Sequence, residues 1–83
     1  MSRMSDWVLC LERHIAENEF KIKAKQIDVI RRERDEQQYI VLSANRKQRM
    51  NLENMIDKLT IRLLELELED LRMELEKEKR KTN

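Results

Sequence analysis

"LTIRLLELELEDLRMEL", residues 59–75, decides the fold of this chain. Followed outward from Leu59, its apolar residues fall into two rows. One runs Leu52, Ile56, Leu59, Leu63, Leu66, then the polar Asp70, then Met73; the other runs Ile61, Leu64, Leu68, Leu71, Leu75. Both rows alternate steps of three and four, the spacing that keeps side chains on one face of an α-helix. At about 100° per residue the two rows lie on nearly opposite sides of the same helix. A helix apolar on both sides has two neighbours, or a contact face that changes along its length. The alternation "LELELE" has the period of a strand. Leucine and glutamate are nevertheless strong helix formers, Ile61 is the last β-branched residue before Thr82, and no turn residue closes a hairpin. The segment reads as a helix that begins by Asn51 and runs to about Lys79.

Upstream, Met4, Val8, Leu11, Ile15, Ile22 and Val29 keep heptad spacing with polar interruptions, one of them Asn18, and Phe20, Ala24 and Ile27 form a second row. Ser5 or Asp6 is placed to cap the first turn, and Glu17/Lys21, Glu19/Lys23 and Asp28/Arg32 are spaced i, i+4 in the favourable order. Residues 5–30 are therefore predicted to be helical. The polar stretch "RRERDEQQ", residues 31–38, can remain helical but offers no apolar face, so it reads as solvated or as a salt-laced contact surface. "YIVL", residues 39–42, is followed by "SANRKQR", where Ser43 and Asn45 compete for backbone hydrogen bonds and weaken the helix.

The expected fold is all-α and extended, built from long helices of coiled-coil type. It divides into an N-terminal segment, 1–42, and a leucine-rich C-terminal segment, 43–83, continuous or bent near residues 43–46. Fully straight, such a chain would span about 125 Å. The sequence has 83 residues with no glycine, no proline and one residue each of Trp, Tyr and Phe, so it lacks both the punctuation and the large rings of a compact core. A compact monomer is the least expected state, and the apolar surface is expected to be buried mostly against other chains.

Charge and composition narrow the function. The net charge of +1 makes no overall case for nucleic acid or anionic membrane. The distribution is uneven, with six basic against three acidic residues in 31–50 and seven against nine in 51–83. Arg31, Arg32, Arg34, Arg46, Lys47 and Arg49 form a basic collar suited to an acidic protein surface. The junction "NRKQRMNLENMIDKL", residues 45–59, has the outline of a leucine-zipper basic region but lacks its base-reading part, which leaves nucleic acid a poor partner. A single cysteine, Cys10, and no apolar run longer than Trp7–Leu11 suit a reducing intracellular compartment rather than a secreted or membrane-spanning chain.

Cys10 and His14, with Glu17 one turn on, could offer ligands to one metal ion, but their coordination shell would stay open, so they read as a helix-surface histidine beside a half-buried thiol. With no glycine there is no phosphate-cradling loop, and nothing in the composition builds a concave pocket. No enzyme activity, cofactor or small-molecule substrate is expected. The expected partners are other protein chains, met through Trp7, Leu11, Ile56, Leu59, Leu63, Leu66, Leu64, Leu68, Leu71 and Leu75, with Trp7 as the aromatic anchor of the N-terminal helix.

One motif points to a setting. In "IRLLELELEDLRMEL", residues Arg62, Leu63, Leu64, Glu67, Leu71, Glu74 and Leu75 follow the pattern R-L-L-x-x-E-x-x-x-L-x-x-E-L. It resembles a segment of short helical microtubule inner proteins of ciliary doublets, in which an aromatic is common at the place of Leu71. The resemblance implies a structural helix lodged between tubulin and filament proteins, a cytoskeletal location in the cilium, and a basic collar facing acidic tubulin. Read from the residues alone, a self-associating coiled-coil adaptor is the alternative, with a basic-helix regulator of nucleic acid behind it.

Overall fold

The computed structural model describes residues 3–38 and 43–81, which form two helices, α1 (Arg3–Gln38) and α2 (Ala44–Lys81). The fold is all-α, and the polar stretch 31–38 continues α1 rather than ending it. The apolar run Tyr39–Leu42 lies outside the described residues.

Ser43 starts α2. Its hydroxyl accepts a hydrogen bond from the Arg46 N–H at 3.2 Å, and its carbonyl accepts one from the Lys47 N–H at 3.0 Å. This is an N-cap: the same affinity for backbone groups that makes serine a poor interior residue lets it satisfy a donor that the first turn leaves open. The weak point expected at residues 43–46 is thus confined to Ser43, with Ala44, Asn45 and Arg46 already helical. At the far end, Lys79, Arg80 and Lys81 lie in the last turn, where positive charge complements the helix dipole.

The two helices lie against each other in opposite directions. Glu12 pairs with Lys79 at 4.0 Å, Glu19 with Arg72 at 3.2 Å and Glu33 with Lys58 at 3.6 Å, so α2 runs backward as α1 runs forward. The molecule measures 60 × 16 × 14 Å, about half the length of one straight helix of this chain. The chain is all-α and elongated, as expected, and of the two alternatives, continuous or bent, its helices take the second and lie side by side. An interhelical seam needs apolar residues in heptad register and a cap at the return, and both are present without glycine or proline.

Leu11, Ile22 and Val29 of α1 and Leu68 of α2 are buried, and Val8, Ile15, Ile61, Leu64, Leu71 and Leu75 are half-buried. Burying four to six such side chains is worth roughly 1.5–3 kcal/mol each before the cost of ordering the chain. The contact between Arg32 and Asn54 at 3.4 Å, with the ion pairs, sets the α1 row Leu11, Ile15, Asn18 and Ile22 along the α2 row Leu75, Leu71, Leu68 and Leu64. Toward the return the seam turns polar, with Lys25 and Arg32 both at Asp57.

Candidate interaction surfaces

The two rows of α2 have opposite fates. Ile61, Leu64, Leu68, Leu71 and Leu75 face α1, whereas Leu52, Ile56, Leu59, Leu63, Leu66 and Met73 face away from it and are exposed, from 43% at Leu66 to 70% at Leu59. Of the residues expected to meet other chains, Leu11, Leu64, Leu68, Leu71 and Leu75 therefore have a neighbour inside the chain. The reason is that α1 carries a matching heptad row, so the chain satisfies one of its own faces first. Ile56, Leu59, Leu63 and Leu66 remain available to a partner.

α1 also presents apolar side chains outward, with Phe20, Ile27 and Ile30 exposed and Phe20 the most so at 74%. Trp7 is covered over more than half its surface by its own chain and is 43% exposed, so part of the ring reaches solvent. The hairpin thus has apolar surface on the outer side of both helices.

The basic collar is divided. Arg31, Arg34, Arg46, Lys47 and Arg49 are exposed near the end where the chain turns back. Arg32 instead turns into the seam. Its guanidinium reaches Glu53 at 3.3 Å and Asn54 at 3.4 Å and donates a hydrogen bond to Asp57, while Lys25 approaches the other oxygen of Asp57 at 3.4 Å. Asn54 and Asp57 are both buried. The hydrogen bond from Arg32 holds the Asp57 carboxyl below the usual carboxylate range against the opposing effect of burial, and the charges of Arg32 and Lys25 add to it. The same hydrogen bond raises Arg32, so the pair stays ionised together.

Of this cluster only Arg32 is among the expected contact residues, as part of the basic collar, and a signal for the rest exists. Continued toward the N-terminus, the inner row of α2 steps from Ile61 to Asp57 and Asn54, and the α1 row steps from Ile22 to Lys25, Val29 and Arg32. Polar side chains at seam positions of two facing helices must meet or stay unpaired, so their types predict the pairing. Among the described residues no buried side-chain nitrogen or oxygen lacks a partner.

Cys10 and His14 line an open groove on α1 with Asp6, Leu9, Arg13 and Glu17. Cys10 is half-buried, and among the described residues no three His, Cys, Asp or Glu side chains are placed to hold a metal ion. His14 and Asn18 also border a groove with Glu67, Asp70, Leu71 and Glu74 across the helix pair. No described helix is long and apolar enough to cross a membrane. The geometry is that of a small helical domain whose chemical resources are contact surfaces. No family model, curated protein or solved structure matches the chain.

Proposed function

We propose that the chain is a non-enzymatic structural subunit whose helical hairpin sits between neighbouring proteins of a larger assembly. The observation that carries this reading is the row of exposed apolar side chains on α2 from Leu52 to Met73, backed by Phe20, Ile27 and Ile30 on the outer side of α1. Several large apolar side chains at helical spacing on an outer face mark a surface that meets protein. Apolar surface on both outer sides suits a piece lodged between two neighbours.

The finer reading is a helix-rich staple within ciliary doublet microtubules, in cytoskeletal surroundings. It rests on the motif from Arg62 to Leu75 and on the exposed basic residues Arg31, Arg34, Arg46, Lys47 and Arg49, which complement an acidic tubulin surface. The second reading, a coiled-coil adaptor, draws on the heptad spacing of the rows on both helices.

The test is incorporation of the tagged full chain into doublet microtubules of a ciliated cell, comparing wild type with Phe20→Asp/Ile27→Asp and with Leu59→Asp/Leu66→Asp. All four positions are exposed, so the hairpin should keep its helical circular dichroism while incorporation falls. Wild type that never enters the doublet rules out the ciliary setting. Variants that assemble as wild type does in any complex rule out the outer faces as contacts.

A further inference from the structure

We infer that the outer row of α2 is covered by the same row of a second copy of this chain, packed antiparallel. The inference rests on the reading of that row as a contact surface and names its occupant. Leu52, Ile56, Leu59, Leu63, Leu66 and Met73 alternate steps of four and three, the spacing that two helices need to interlock side chains along a shared seam. Extended by one step at its start, the row takes in Arg49, and Asp70 falls within it between Leu66 and Met73. Both charges are exposed. From Arg49 to Met73 the row covers about 36 Å of helix.

The two charges choose the orientation. In a parallel pair each copy's Arg49 would meet the partner's Arg49 and each Asp70 the partner's Asp70, two like-charge contacts inside an apolar seam. In an antiparallel pair centred between Leu59 and Leu63, Leu59 lies level with the partner's Leu63 and Ile56 with the partner's Leu66. Leu52 then lies level with the partner's Asp70 and Arg49 with the partner's Met73. Arg49 and the partner's Asp70 come within one turn of each other, and symmetry gives the pair twice. Glu69 is exposed beside Met73 where Arg49 arrives, while Glu76 there pairs with Arg80 at 3.8 Å and Lys77 is the next step of the row. Each copy's Arg49 therefore lies near the partner's Asp70, a pairing that the parallel orientation lacks. The dimer covers the outer side of α2 and leaves Phe20, Ile27 and Ile30 of each copy pointing away from the shared seam.

Sedimentation equilibrium of the full chain tests this, with circular dichroism to confirm that each variant remains helical. Wild type should dimerise, and Leu59→Asp/Leu63→Asp should be monomeric. Arg49→Asp and Asp70→Arg should each raise the dimer dissociation constant by about tenfold or more, because each places like charges together twice. The double variant Arg49→Asp/Asp70→Arg should recover most of the affinity, since it only exchanges the two ends. Arg49 and Asp70 are exposed, so these variants report on association even if the leucine pair disturbs folding. A monomeric wild type overturns the inference, as does a dimer that survives the leucine changes or a double variant no tighter than the singles. A monomeric wild type whose outer-face variants still lose incorporation into an assembly overturns the inference alone and leaves the contact reading standing.

Discussion

Leu68 and Leu59 are the same residue type on one helix, nine positions apart, and the first is 7% exposed while the second is 70% exposed. Propensity, hydropathy and local spacing treat the two alike. What separates them is that α1 offers a heptad row to only one side of α2. The inner side is committed to folding and the outer side to whatever the folded hairpin meets, so the same substitution should have unrelated consequences on the two sides. Each side also carries polar residues in its row. On the inner side Asn54 and Asp57 find Arg32 and Lys25 within the chain, whereas on the outer side Arg49 and Asp70 face outward.

The largest effect expected from this contrast is on stability. Leu68→Ala removes a buried side chain from a thin seam and should cost about 2–4 kcal/mol, enough to unfold much of so small a hairpin. Leu59→Ala should stay within about 0.5 kcal/mol, since an exposed site loses little. Urea titrations followed by circular dichroism read both, and equal losses at the two sites would break the distinction between inner and outer rows.

A second, smaller effect concerns the polar end of the inner seam. Asp57→Ala leaves Arg32 turned into the seam without its closest acceptor and should cost about 1–3 kcal/mol. The carboxyl of Asp57 has its pKa lowered in the folded chain, so its contribution is present above the unfolded carboxylate value of about 4 and is lost as pH falls through the folded value. Melting temperature should therefore drop below about pH 4 in wild type, and the drop should be shallower in Asp57→Asn. Identical acid profiles would show that the cluster contributes nothing to holding the helices together.

Next comes the cap. Ser43→Ala should cost about 1 kcal/mol and fray the first turn of α2, a loss read by amide hydrogen exchange at Arg46 and Lys47. The smallest effect belongs to the rim of the seam. Arg72 and Glu19 pair at 3.2 Å with both side chains substantially exposed, so Arg72→Ala should cost less than about 1 kcal/mol and less still at high salt. A loss rivalling that of Leu68→Ala would move the weight of the fold from the leucines to the charges.

Much of this arrangement is legible in the residues. The row Ile61, Leu64, Leu68, Leu71, Leu75 and the row Val8, Leu11, Ile15, Ile22, Val29 can be read off as helix faces, because 3.6-residue periodicity is a local property. The weak point beside Ser43 is local too. That the two rows meet each other is not legible in the same way, since a heptad row names the shape of its partner and not the partner. Arg32 shows the same limit. In sequence its spacing continues the row through Lys25 and Val29, but only the tertiary structure, which brings Asn54, Asp57 and Glu53 to it, shows that this position faces a partner within the chain.

The sequence by itself determined the two helical segments, the two opposed apolar rows of α2, the weak point beside Ser43 and the uneven distribution of charge, because each follows from spacing, side-chain chemistry or composition over a few turns. The tertiary structure decided which row is spent on the chain's own fold. Folding back lets α1 cover one face of α2 and no more, since a single neighbouring helix can bury only one side of a cylinder. The other face, from Leu52 to Met73, is left outward by that geometry, and it is there that the hairpin has surface to offer another chain.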